Sequence, residues 1–204
     1  MGFYRNVILP RLCDFAMKNE RLTPFRERVV GRAEGRVLEI GAGSGRNLPL
    51  YKAAVDDVIA LEPDPNLARM SEARAKERSR PVQWLEASAE EIPLENGSVD
   101  TVVSTWTMCS IADVTRALRE MRRVLKAGGH LLFVEHGLSP EPRVQKWQAT
   151  IDPIWSRISG GCHVNRPIRR MIEAAGFRID GIETCYLPGP KSLGYFSEGR
   201  ARPC

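Results

Sequence analysis

The chain has 204 residues, a formal net charge of +5, and 43% hydrophobic, 27% charged and 7% aromatic residues. That size and balance fit one domain whose core needs no disulfide staples, and they exclude disordered, collagen-like and coiled-coil classes. No apolar run approaches the ~20 residues that span a bilayer and no signal-peptide pattern opens the sequence, so a soluble, cytoplasmic protein is expected.

The first 35 residues read as a helical cap. Residues 4–19 are amphipathic but interrupted by Pro10, and Thr23-Pro24 opens a second helix. From there short β-branched runs alternate with helical patterns, the signature of a parallel α/β sheet. Strands are expected over residues 36–40, 57–62, 82–86, 99–104 and 130–135, with a weaker pair over 177–185 and 194–199. Asp64 caps a helix that begins at Pro65 and reaches about Arg78. Asp113 starts another, apolar at Val114, Ala117, Leu118, Met121 and Leu125, and expected to stop at Gly128-Gly129. Glu95-Asn96-Gly97 reads as the turn ahead of the fourth strand. An insertion between Pro140 and Pro167 carries Trp147, Trp155 and Gly160-Gly161. Added segments in such a sheet tend to build over the carboxyl ends of the strands, where ligands bind.

Charge is uneven: residues 1–36 carry +4, residues 165–204 carry +3 and the stretch between them −2. Basic flanks of this kind can draw a protein to anionic lipid headgroups or simply keep it soluble. The five cysteines, Cys13, Cys109, Cys162, Cys185 and Cys204, show no CxxC spacing and read as reduced thiols. Three scattered histidines offer no ligand spacing, so no metal centre is expected.

The sharpest local signal is the run from Val37 to Gly45, a buried strand entering the glycine turn Gly41-Ala42-Gly43-Ser44-Gly45 and then a helix. Glycines let the backbone approach a ligand closely. Arg46 stands where a dinucleotide fingerprint wants its third glycine, which weakens a nicotinamide or flavin reading. Seventeen residues past Gly45, Glu62 ends the second strand, where a carboxylate can accept both hydroxyls of an adenosine ribose. No GxxxxGK[ST] loop and no HExxH helix occurs, so nucleotide hydrolysis and zincin chemistry lack their parts.

With Ala87-Ser88-Ala89-Glu90 after the third strand, Asp100 opening the fourth, and Leu125 to Gly129 before the fifth, these features resemble the class I S-adenosylmethionine-dependent methyltransferases. Within them, Met108-Cys109-Ser110-Ile111, Val134-Glu135-His136 and the stretch from Trp147 to Cys162 look like the small alkyl-thiol S-methyltransferases of the methyltransferase-like group, which commonly have Asp where this chain has Glu62. The resemblance implies a Rossmann-like α/β sheet of seven strands with helices on both faces, the last strand antiparallel. It divides the chain into the cap (1–35), a cofactor-binding core (36–136) and acceptor-side segments (137–204). It implies S-adenosylmethionine as cofactor and S-adenosylhomocysteine as product, held by Gly41, Ala42, Gly43, Ser44, Gly45, Asn47, Glu62, Pro63, Ser88, Ala89, Glu90 and Thr105.

The expected acceptor is a small lipophilic thiol. The alternative is the amine of a phospholipid headgroup, reached by peripheral membrane contact through the basic flanks; a domain that only senses the cofactor is a third reading. Nucleic acid is not an expected partner: the fourth strand is followed by Thr105-Trp106-Thr107, not the Asp/Asn-Pro-Pro-aromatic turn of base-modifying enzymes, and no basic-aromatic platform appears. His136, directly after the fifth strand, is the first candidate to take an acceptor's proton. Cys109, after the fourth, is a second catalytic candidate and His163 a weaker third. Trp106, Trp147 and Trp155 are candidates to line the acceptor pocket.

Overall fold

The computed structural model of the protein describes residues 8–75 and 81–204. Seven strands, β1 (Gly35–Ile40), β2 (Val55–Leu61), β3 (Val82–Leu85), β4 (Val99–Thr105), β5 (Leu125–His136), β6 (Phe177–Tyr186) and β7 (Tyr195–Pro203), form one sheet in the order β3-β2-β1-β4-β5-β7-β6. The first five are parallel, while β7 runs antiparallel to both β5 and β6. Strand order reverses between β1 and β4, so a crevice opens outside their carboxyl ends, the usual ligand position in such sheets.

Alternation along each strand sends side chains to opposite faces and builds two cores. Leu38, Ile40, Ile59, Leu61, Val102, Leu131 and Phe133 face α4 (Val114–Val124) and α6 (Ile168–Ala174). Val37, Val58, Val103, Leu132 and Val134 face α2 (Thr23–Val30). The caps follow the sequence: Asp64 accepts from the amides of Asn66 and Leu67 at the start of α3 (Pro65–Ala75), and Asp113 accepts from that of Arg116.

Three local expectations need correction. Pro10 does not interrupt the first helix, because it lies in the first turn of α1 (Leu9–Met17), where the ring is tolerated and no intrahelical donor is lost. Tyr4 and Arg78, placed in helices by their pattern, lie outside the described residues. Helix α4 ends at Val124, ahead of Gly128-Gly129. The amides of Gly97 and Ser98 take the carbonyls of Arg123 and Val124, Leu125 turns extended to pair with Val99, and the two glycines fall in an irregularity before pairing resumes at Thr101–His130. The glycine turn runs into a single 3-10 turn, Leu48–Leu50, with no α-helix. Pro49 has no amide to donate back to Gly45, where an α-helix opening there would make its first bond. The 140–167 segment carries a long helix, α5 (Pro142–Ile158), followed by a loop. Among the described residues no helix is long and apolar enough to cross a membrane.

Candidate active site

Above the β1–β4 reversal the strand ends and two helices enclose a cavity of about 820 Å³, within the range that small-molecule sites occupy. Its floor at one end is the glycine turn. Gly43 has φ +56°, and a Cβ built there would meet only the Gly41 carbonyl at 3.8 Å, so the turn leaves an open cradle that a side chain would fill. Gly45 has a different task. Its φ is +77° and a Cβ would strike Ser71 at 2.7 Å, so it packs the turn onto α3 and does not line the cavity. Gly41, Ala42, Gly43, Ser44, Asn47, Glu62, Pro63, Ser88, Ala89, Glu90 and Thr105 all do.

Glu62 is 6% exposed. One oxygen accepts the Gly43 amide at 2.8 Å and the other the Asp64 amide at 2.9 Å. Those bonds aim the carboxylate and leave each oxygen a second lone pair for a ligand hydroxyl. Burial nevertheless pushes its pKa above the ordinary glutamate value. Deeper in, Asn47 donates to Glu39 and to the Thr105 hydroxyl, both at 2.9 Å, while Tyr51 donates to the other Glu39 oxygen. Arg26 lies beside them, 5% exposed, its guanidinium 4.7 Å above the Trp106 ring. Burial, and then the charge of Arg46, draw it down to about 10, so it stays cationic at neutral pH. Trp106 follows β4 at φ +52°, the one non-glycine residue with positive φ among those described. A bulky side chain held there is local strain of the kind that gathers at ligand sites.

Helix α1 roofs the cofactor end. Asp14 binds the Ser44 hydroxyl and lies 2.7 Å from Arg46 and 3.3 Å from Arg74, while Leu9, Leu12, Phe15 and Met17 line the cavity. The other end is walled by the close of α5 and its loop, with Trp155, Ile158 and Cys162. Both added segments therefore reach the pocket. Trp147 does not; it is 66% exposed on α5 and outside the lining. His163, the weakest of the three catalytic candidates, is also outside it, bonded through Nδ1 to Asp152 at 2.7 Å.

His136 and Cys109 meet Cys162 in this wall. The Cys109 and Cys162 sulfurs are 3.3 Å apart, and His136 Nδ1 is 3.7 Å from Cys162 Sγ. Cys162 donates to the Cys109 sulfur, and the Cys109 thiol donates in turn to the Trp106 carbonyl at 3.4 Å. The bond between the sulfurs, followed by burial, drives the Cys109 thiol well up, and it draws Cys162 down. Glu135 fixes the Cys109 loop. Fully buried, it accepts from Ser104 Oγ at 2.8 Å, the amides of Thr107 and Met108 at 3.0 Å, and that of Cys109 at 3.3 Å. Arg166 ties down the same loop by donating to the Met108 and Ile111 carbonyls.

The buried Arg26 and the Asp14 anchor were invisible in sequence, since each is an ordinary charged residue in an amphipathic helix. Cys162 was legible only as part of the family resemblance.

Comparison with known proteins agrees with this architecture. The family described as "Methyltransferase domain" matches residues 38–133. Thiol S-methyltransferase TMT1B of Rattus norvegicus is 34% identical over 164 residues, 78% of this chain and 67% of the relative. The human TMT1B is 34% identical over 151 residues, 71% of this chain and 62% of the relative. The chain thus spans two thirds or slightly less of their length. This chain belongs to the class I S-adenosylmethionine-dependent methyltransferases. Its fold also matches the crystal structure of the YcgJ protein of Bacillus subtilis, with a TM-score of 0.65 and 24% identity over 80% of this chain and 71% of that one. S-adenosylmethionine is the methyltransferase's cofactor, and the open Gly43 cradle with the aimed Glu62 carboxylate fits an adenosine ribose.

Proposed function

We propose that the methyltransferase acts on the sulfur of a small lipophilic thiol. The observation that carries this reading is a single cavity with the Gly43–Glu62 cradle at one end and the Cys109–His136–Cys162 cluster at the other, joined by apolar walls. The names of its thiol S-methyltransferase relatives support it.

In this reading Glu62 receives the ribose hydroxyls, Ser88, Ala89 and Glu90 border the adenine end, and Arg26 faces the cofactor's carboxylate. When bound, the cofactor supplies a methyl group already activated on a sulfonium, so the protein contributes position and exclusion of water. Leu12, Phe15, Trp155 and Ile158 hold an apolar acceptor. Removing the acceptor's S–H proton is the one chemical demand left, and His136, Cys109 and Cys162 are the groups at that end of the cavity.

The test is transfer of labelled methyl to an alkyl thiol, an amine, a phenol and phosphatidylethanolamine vesicles at equal concentration. The thiol should take the label. Label in the amine or the lipid alone would overturn the reading.

A further inference from the structure

We propose that Cys109, Cys162 and His136 form a binding site for a divalent, zinc-class metal ion whose fourth position opens into the cavity and takes the acceptor thiol as thiolate. The ion's part in the reaction rests on the thiol reading above; its binding does not.

The donor atoms already stand as an ion would need them. All three lie within 4.8 Å of one another, with separations of 3.3 Å between the sulfurs and 3.7 Å between Cys162 Sγ and His136 Nδ1. Zinc bonds of about 2.3 Å to sulfur and about 2.0 Å to nitrogen, at tetrahedral angles, give edges of roughly 3.8 and 3.6 Å. Placing the ion therefore asks the two sulfurs to part by about half an ångström and the Cys109–His136 edge, within 4.8 Å, to close by about an ångström at most.

The site is also pre-assembled. Each donor comes from a different part of the chain and each is tied to a fixed element. His136 is the last residue of β5, Glu135 holds the Cys109 amide, and the His163 amide donates to the Cys109 carbonyl at 2.8 Å, locking the Cys162 loop to the Cys109 loop. Asp152 and Gln148, buried in α5, pin that loop again at the Val164 amide and carbonyl. Such outer partners hold metal ligands in orientation.

Two thiolates and an imidazole select a borderline-soft cation and not calcium or magnesium, which want oxygen. Three protein ligands with one position left open is the pattern of catalytic zinc sites. All three residues line the cavity, so the open position faces the acceptor.

Chemically, the bound thiol gives its proton to solvent and its sulfur remains on the ion as thiolate. A lone pair of that sulfur forms the new carbon–sulfur bond to the methyl group. The old bond from methyl carbon to sulfonium breaks, its electron pair staying on the departing sulfur. The products are a methyl thioether, S-adenosylhomocysteine and one proton, with no change of oxidation state. The thioether is neutral and a weaker ligand, so it leaves.

The experiment titrates the reduced, full-length protein with Co(II). One ion per chain should bind, with near-ultraviolet sulfur-to-cobalt charge transfer and the intense visible bands of tetrahedral cobalt, and Zn(II) should displace it. Adding an alkyl thiol should shift the visible bands. Cys109→Ser, Cys162→Ser and His136→Asn, each checked for folding by circular dichroism, should weaken binding at least tenfold. Three outcomes would overturn the site: no binding at micromolar Co(II) or Zn(II), unchanged bands in the Cys162→Ser and His136→Asn variants, or loss of two titratable thiols to a disulfide that excludes the metal. Turnover of thiols by metal-free protein would overturn the ion's part in the reaction while leaving the thiol acceptor standing. Cobalt bands of the expected kind without any thiol transfer would keep the metal site and remove the thiol reading.

Discussion

Glu62 holds two backbone amides and still faces the cavity with a free lone pair on each oxygen. Replacing it with alanine removes both acceptors from the ribose end, and cofactor affinity should fall by about 2 kcal/mol, roughly thirtyfold, by calorimetry on a protein whose circular dichroism is unchanged. Its raised pKa adds a pH signature. The ionised form is the one that accepts two hydroxyls, so affinity should decline as pH falls through this raised value, beginning above the ~4.3 of an exposed glutamate. Glu62→Gln should abolish that pH dependence. Glu135 acts through structure: Glu135→Ala strands four buried donors and should cost about 3 kcal/mol or more, lowering the melting midpoint by roughly 10 °C. At this scale the sequence disclosed the cofactor half of the site better than the acceptor half. Gly43 and Glu62 stand close to one turn and carry recognisable spacing. Cys109, His136 and Cys162 come together only because three separate carboxyl-end segments converge, a relation that no local spacing records.

Among the elements, α1 is held over the glycine turn by charge. Asp14 is partly buried, which opposes ionisation, but the Ser44 hydroxyl, Arg46 and Arg74 outweigh burial and hold its carboxyl below the usual range. A depressed carboxyl stabilises the folded arrangement fully above its unfolded pKa of ~3.9, and that stabilisation is lost as pH falls through the lower folded value. The roof should therefore stay docked at pH 5 and loosen below about pH 4. Asp14→Asn should weaken cofactor binding severalfold at neutral pH, since a part-exposed ion pair contributes ~1 kcal/mol or less, with little change in the melting midpoint. The strands were legible because each buried run alternates between two cores, and α3 and α4 because Asp64 and Asp113 cap them; the sheet order and the antiparallel last strand came from the family resemblance. Element ends were less so. Gly128-Gly129 looks like a helix stop, yet the carbonyls of Arg123 and Val124 were already taken by amides from the turn before β4. That contact spans more than twenty residues of chain and leaves no local trace. The missing helix after Gly45 is different, for the glycine turn promises one but Pro49 lacks the amide that its first bond would need.

For the whole molecule, the basic flanks are spent only in part on ion pairs and on the interior. Arg28 pairs with Glu198, Arg36 with Asp57, Lys191 with Glu141 and Arg202 with Asp180, while Arg26 and Arg166 are spent on the interior. Arg11, Lys18, Arg21, Arg32, Arg170 and Arg178 stand exposed, but a small thiol reaches the cavity without a lipid surface. Methyl transfer to a thiol should therefore be indifferent to added anionic vesicles at low and high salt, and co-sedimentation that fades with salt, with no thiol turnover, would favour the headgroup acceptor instead. In the proposed arrangement one cavity holds the cofactor at one end and the acceptor cluster at the other. A crystal structure of the complex with S-adenosylhomocysteine tests it most directly. Both ribose hydroxyls should lie on Glu62, the carboxylate beside Arg26, and the thioether sulfur toward Cys109, His136 and Cys162; a product whose sulfur points away from that cluster, or whose ribose lies off Glu62, would overturn the arrangement.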